Sequence, residues 1–368
     1  MSDGGRWRLK WVLDLAARTS GDWPKCADAW WRACEVAQEV GATDVEKEAL
    51  LKALDAYRRA DLPIRVIEIV ERREPHAVSK SESAMLAVYR LGALLDLGRI
   101  SDALAGADEL LDLATDRYTR SIAIDTVASL WLISGRIGAL RSLIEEFDGG
   151  VGAAGLAKLF RIGQLARLDG DYELASTSFE NCVKGLVGHE KSSGGAGAAL
   201  VELGRTYSVQ GMHNEALKNY EKGAVQWGLA GRVGERYRAL SYGARAMLSL
   251  GNVHFLSSGL SNSVQYARDH GLALLEAECR LARGLSRHEC GEDGAVEDLN
   301  ASVYMSWECG ARLQTGESRI ERFSAGSGED NDLAKASLEL ADDLPMLERL
   351  GELLRPSIND KLLAKEDR

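Results

Sequence analysis

Proline is nearly absent, 5 in 368 residues. Proline removes a backbone donor and breaks helix interiors, so its scarcity leaves room for many uninterrupted helices. Cationic residues are short as well: 45 Lys and Arg stand against 56 Asp and Glu, a formal charge of −11. Sequence-independent binding to nucleic acid or to an anionic membrane needs a surplus of Lys and Arg, so neither is expected as a partner. No run of about eighteen uncharged apolar residues occurs, so no bilayer-spanning helix is expected. The apolar stretch after Trp7 and Trp11 is cut by Asp14 and Arg18 before it reaches signal-peptide length, and the expected compartment is the cytoplasm. The six cysteines (Cys26, Cys34, Cys182, Cys279, Cys290, Cys309) form no CxxC pair. The His288-Glu-Cys290 segment is too isolated to supply a zinc site, so they read as reduced thiols with no metal.

Glycine, by contrast, is plentiful at 38. With so little proline, that favours helices joined by glycine-capped loops over a β-rich chain. One spacing then recurs, with steps of three, four, five, four and three between key positions. Gly204, Tyr207, Gly211, Ala216, Tyr220 and Gly223 follow it, as do Gly163, Ala166, Gly170, Ala175, Phe179 and Cys182. Weaker copies begin at Leu91 and Ala128, and another runs through Asp14, Ala17, Gly21, Cys26, Trp30 and Ala33. Steps of three and four keep residues on one helical face, where a small residue admits a neighbouring helix and an aromatic fills the remaining gap. The glycine at the middle of each unit provides the left-handed residue that ends a first helix. These glycines are Gly21, Gly98, Gly135, Gly170, Gly211, Gly251 and Gly291, with Asp61 in place of a missing one, and they lie 35 to 41 residues apart. Eight units of two antiparallel helices follow, with Thr43-x-x-Glu46 and Ser79-x-x-Glu82 as capping boxes for first helices.

The segments Leu203 to Tyr207, Gln210 to Leu217 and Asp169 to Ala175 resemble the tetratricopeptide repeat, a helix-turn-helix unit of 34 residues. The units here are longer and lack the closing proline, which makes them similar to those in sensor domains of bacterial signalling proteins. The resemblance implies an all-α, right-handed superhelical solenoid of about eight helix pairs over residues 1–314. After it come a polar linker at 315–332 and a C-terminal capping helix with its tail at 333–368, where Leu338, Leu344, Leu347, Leu350 and Leu354 recur. Pro345 would kink that helix and Pro356 would end it. Two glycine-rich connections, Asp148 to Gly155 and Gly188 to Gly197, are expected as flexible seams between units.

Chemistry is hard to find. Gly150-Val-Gly-Ala-Ala-Gly155 contains GxGxxG, but a helix end precedes it where a dinucleotide site needs a strand. The six histidines are dispersed, with no metal spacing. Trp30 occupies the inward aromatic position of its unit. No enzyme activity and no cofactor are expected.

The resemblance places function on the concave surface, lined by first-helix residues beside the packing positions. In the central units these are Phe160, Arg161, Gln164 and Arg167, then Val201, Glu202 and Arg205, then Arg238, Tyr242 and Arg245. Five arginines in one groove of an acidic protein form a local sign reversal suited to acidic groups, with Phe160, Tyr207 and Tyr242 for apolar contact. The alternative is that these arginines pair with nearby Glu. The Lys and Asn of the family's carboxylate clamp are replaced by Phe160, Gln164, Val201 and Arg205. The expected function is that of a non-catalytic scaffold binding a protein or peptide with an acidic segment. The alternative is a peptide sensor that controls an effector through a superhelix change.

Overall fold

The computed structural model describes residues 11–13, 22–150, 152–186, 193–253, 256–328, 330–341, 343 and 346–350. Among these residues the chain is all-helical, with no strand. First and second helices alternate: α1 (Trp23–Glu39), α2 (Thr43–Arg59), α3 (Pro63–Arg73), α4 (Lys80–Asp96), then α5 (Ile100–Ala105) and α6 (Ala107–Leu113) as one broken second helix. They continue as α7 (Arg117–Ile133), α8 (Ile137–Glu146), α9 (Ala153–Leu168), α10 (Tyr172–Leu186), α11 (Ser193–Val209) and α12 (His213–Leu229). The last are α13 (Val233–Ser249), α14 (Leu256–Asp269), α15 (Ala273–Cys290), α16 (Ala295–Glu308), α17 (Arg312–Ser324) and α18 (Asp330–Glu339). First helices are α2, α4, α7, α9, α11, α13, α15 and α17.

The left-handed turn predicted at the middle of each unit is present. Gly98, Gly135, Gly170, Gly211, Gly251 and Gly291 have φ between 64° and 76°, and Asp61, their substitute, has φ 53°. Asp61 is the one non-glycine residue with positive φ among those described. The small-residue contact is present too: a Cβ on Gly204 would lie 2.7 Å from the Tyr220 ring, and one on Gly163 2.8 Å from Phe179. Backbone approaches ring at these two positions because no side chain intervenes. Gly21, Asp14 and Ala17 lie outside the described residues, as do Trp7, Pro345 and Pro356.

The polar stretch at 315–332 is not a linker. It carries most of α17, whose Thr315, Gly316, Ser318, Arg319, Ile320 and Glu321 are buried. Ser and Thr make the stretch look solvated, but their hydroxyls return to the helix, Thr315 to the Ala311 carbonyl and Ser324 to that of Ile320. Helices α17 and α18 thus pair as the earlier units do. The buried face of α18 runs through Leu333 and Ala336 to Leu340 and meets Ile320, while Leu338, expected on it, is 71% exposed. The Ser79 cap forms as predicted, its Oγ accepting from the Glu82 amide at 3.2 Å. The Thr43 box does not, because Ala42 occupies the cap position and Glu46 pairs with Arg73 at 2.6 Å. The second glycine-rich seam is partly helical, since α11 begins at Ser193 and its Gly194 and Gly197 lie against the Trp227 ring.

The chain also closes on itself. The mid-unit turn at Asp61 meets the start of α13, with its Oδ2 accepting from the Gly234 amide at 2.7 Å and from Tyr266 Oη at 2.8 Å. Gly98 abuts Ala273 at the start of α15 and also Cys309, and Gly135 abuts Arg312 at the start of α17. In each case a turn touches the unit five pairs further along. A second seam contact runs from Arg59 Nη1 to the Ala230 carbonyl at 3.2 Å.

Gly98 and Gly170 share nearly the same φ, 74° and 75°, but only Gly98 is in contact, a Cβ on Gly170 meeting nothing within 4 Å. We therefore predict that Gly170→Ala costs about 1–2 kcal/mol, the left-handed penalty alone. Gly98→Ala should cost more, by its clash with Cys309 and Ala273. Urea midpoints of the two variants check this, and equal losses would mean that the turns do not touch in solution.

Candidate functional site

Successive first helices present one face to the interior of the coil, because the five-residue step from each turn sends the opposite face into the unit. There they enclose a cavity of about 1300 Å³. All eight residues selected from the sequence line it: Phe160, Arg161, Gln164, Arg167, Arg205, Arg238, Tyr242 and Arg245. Tyr207 does not. It packs between neighbouring units against the clusters around Tyr220 and Phe179. Phe160 meets Phe179 edge-on at 5.6 Å, and Tyr242 stacks on Tyr220 at 5.7 Å.

The expectation of a basic groove is corrected by what surrounds these arginines. The cavity lining contains nine arginines, no lysine and eleven carboxylates. Three of the arginines, Arg161, Arg238 and Arg245, reach across to a carboxylate on another first helix. Arg161 on α9 donates through Nη2 to Asp125 Oδ1 on α7 at 2.7 Å and to Ser129 Oγ at 2.7 Å, and through Nη1 to Gln164 at 2.8 Å. Arg205 donates to Glu202 at 3.0 Å and lies over the Tyr242 ring at 5.3 Å. Arg238 on α13 joins Glu278 on α15 at 2.6 Å and Glu235 at 2.6 Å. Tyr242 Oη donates to the same Glu278 at 3.2 Å. Arg245 reaches Glu317 and Glu321 on α17 at 2.7 and 3.1 Å, and Arg349 also binds Glu321 at 2.7 Å.

Such a ladder fixes helix register more than it adds stability, since desolvating each ion offsets most of the attraction. Burial alone would raise the Glu317 carboxyl, but the guanidiniums of Arg245 and Arg205 outweigh it and hold it at about 2. Glu202 is likewise pushed up by burial and brought below its ordinary value by Arg205 and Arg167. Burial raises Asp343, and the nearby Arg167 only partly counters it.

Three arginines depart from this pattern. Arg167 is 4% exposed and donates no hydrogen bond among the described residues; its nearest carboxylate is Glu202 Oε2 at 3.4 Å, and both facing atoms are buried and unsatisfied. Arg58 lies with its guanidinium face on Gly92, its Nε buried and unpartnered, and forms no ion pair among the described residues. Arg232 stands 3.7 to 3.9 Å from Asp61, Asp96 and Glu235, again with an unpartnered Nε. Arg58, Arg232 and the carboxylates of the ladder were not selected from the sequence. The signal for the carboxylates was present: Asp125 precedes Arg161 by 36 residues and Glu278 follows Arg238 by 40, one repeat away with opposite sign.

Burial pushes the thiol of Cys182, which lines the cavity, up to about 11. No group of three or more His, Cys, Asp or Glu residues able to hold a metal occurs among the described residues. The GxGxxG segment follows helix α8 and its last three residues form the start of α9, with no strand before it among the described residues. No helix among those described is long and apolar enough to cross a membrane. No protein-family model matches the chain, and no curated protein matches it.

A carboxyl held low stabilises the fold above its unfolded value, and that contribution is lost as pH falls through the folded value. For Glu317 the window runs from about 4.5 down to about 2. Glu317→Gln should cost about 1–3 kcal/mol at pH 7 and flatten the stability loss across that window. Chemical unfolding of both proteins at stepped acid pH measures it.

Proposed function

We propose that the protein is a tetratricopeptide-like solenoid, right-handed and of about eight helix pairs, that binds a peptide or protein segment inside its coil without catalysing a reaction. The observation that carries this reading is the cavity itself. At about 1300 Å³ it exceeds the ~300–1,000 Å³ of drug-sized sites, and so has room for a peptide. Its walls alternate aromatic surface (Phe160, Tyr220, Tyr242, Trp227) with fixed charge, the mixture that an extended peptide with spaced polar and apolar groups complements. Specificity would come from arginines with donors to spare. Arg167 is the clearest case, because it is 4% exposed, donates no hydrogen bond among the described residues and comes no closer than 3.4 Å to Glu202.

A second reading is favoured by the contacts between turns. A ligand inside a coil whose turns touch at Asp61, Gly98 and Gly135 can alter how the turns close, which is what a sensor acting on an effector requires. The cytoplasm is the compartment proposed for either role.

Arg167 donates no hydrogen bond among the described residues but faces Glu202 at 3.4 Å, so Arg167→Gln should keep helicity and lower the melting temperature by the loss of that buried pairing. We expect it to weaken retention of peptides from a random hexapeptide pool about tenfold or more, as loss of a charged contact worth about 1.4 kcal/mol would. Retention equal to that of the wild type would move the binding surface out of the cavity.

A further inference from the structure

The seam between the two turns at Asp61 runs beside the cavity, which Arg58, Arg59, Ala230 and Arg232 line. Three residues before Asp61 in the sequence is Arg58, and two residues before its partner Gly234 is Arg232. The 2.7 Å bond from the Gly234 amide to Asp61 therefore brings both arginines to one stretch of the wall, one from each turn, and both line the cavity. They also act together on Glu235, whose carboxyl burial would raise but which Arg238, Arg232 and Arg58 hold below its ordinary value. Neither Arg58 nor Arg232 donates a hydrogen bond among the described residues, and the Nε of each is buried without a partner.

Elsewhere in the lining such forks are filled, as at Arg161, Arg238 and Arg245. A guanidinium with an open end presents paired N–H donors, the geometry that a carboxylate accepts. We propose that Arg58 and Arg232 form a carboxylate site across the seam, which the bound peptide fills and by doing so ties the first turn of the coil to the second. This rests on the peptide-binding reading above and adds where its acidic group sits and what that does. A polyphosphate or nucleic-acid strand fits poorly, because the same cavity carries eleven carboxylates against nine arginines and would repel a run of negative charge. A single carboxylate would compete for Arg232 with Asp61, Asp96 and Glu235, none of which is closer than 3.7 Å, and would meet Arg58 with no ion pair to displace among the described residues.

The cost of keeping this place is visible in the backbone. Asp61 holds a left-handed conformation that glycine takes in the other units, and what it gains there is a carboxylate that reaches the opposite turn. Apolar packing of Ile100 against Leu274, Cys309 and Ala311 already favours closure further along the seam, and an ion pair at Arg58 and Arg232 would add to it at the Asp61 end.

The test exposes immobilised full-length protein to a random hexapeptide pool and sequences what is retained, for the wild type, Arg58→Gln and Arg232→Gln. The expected result is enrichment of Asp and Glu by the wild type that falls at least tenfold in each variant, with neutral peptides still held. Small-angle scattering with the enriched pool should show a fall in radius of gyration for the wild type and none for Arg58→Gln. Peptides retained with the same acidic preference by Arg58→Gln would overturn the seam site while leaving peptide binding intact. No peptide retained by the wild type would overturn both. If Arg232→Gln fails to fold, Arg58→Lys serves instead, since it keeps the charge and loses the fork. Its expected enrichment lies between those of wild type and Arg58→Gln, and wild-type enrichment would count against the site. A C-terminally amidated pool separates the sources: preference kept means acidic side chains, preference lost means chain termini.

Discussion

The architecture hangs on one residue per unit, the left-handed residue that ends each first helix. Without it the helix would run on or leave in another direction, and the second helix could not return antiparallel. Glycine takes this conformation with no steric penalty, which is why it recurs every 35 to 41 residues. The next consequence is the approach of α9 to Phe179 and of α11 to Tyr220, where a second glycine has no Cβ to hold the ring away. Because every unit turns in the same sense, the coil meets itself after five pairs, and the same turns become its seam. At Asp61 the structural residue and the seam contact are one residue, and this is the one unit where glycine's freedom is given up for a side chain.

The interior is organised by a second rule, that a charge on one first helix is answered on another. Arg161 with Asp125 and Arg238 with Glu278 each cross to the adjoining first helix, and Arg245 on α13 crosses to Glu317 on α17. Paired charges of this kind cost nearly as much to bury as they return. Their effect is to make one register of neighbouring helices better than a slipped one, since a shift would strand both members of several pairs. They also neutralise most of the lining, so a partner is not drawn in by bulk positive charge. What remains for recognition is the small set of forks that the ladder leaves open.

Much of this could be read from residues alone, and the limits have physical causes. Helical turns follow from local spacing, so the positions of Gly98, Gly135, Gly170, Gly211, Gly251 and Gly291, and even the substitution by Asp61, were legible. Placing the eight groove residues in one cavity was legible too, because repeat phase carries over from unit to unit. The sign of the groove was misread because arginines were counted without looking one repeat away for their carboxylates. Residues 315–332 were taken for a linker because Ser, Thr and Gly usually mark solvated chain, whereas here Ser302 and Ser318 satisfy each other at 3.0 Å inside the α16–α17 contact. Arg58 and Arg232 could not be paired at all from the sequence. They are 174 positions apart, and only the pitch of the coil brings them to the same wall.

That pitch decides what kind of binding the fold can support. An open arc offers a ligand one wall, and its occupancy need not change the arc. Here the turns are in contact, and the cavity is lined both by first-turn residues such as Arg58 and Arg167 and by second-turn residues such as Arg232 and Arg238. Contacts to both turns favour the closed coil by whatever free energy they contribute beyond contacts to one turn. The seam is held by the Asp61 bonds, the Arg59 bond to the Ala230 carbonyl, the glycine approaches and a buried apolar cluster in which Ile100 meets Leu274, Cys309 and Ala311. Under the proposed peptide binding, occupancy of the cavity and closure of the turns would be coupled through these residues.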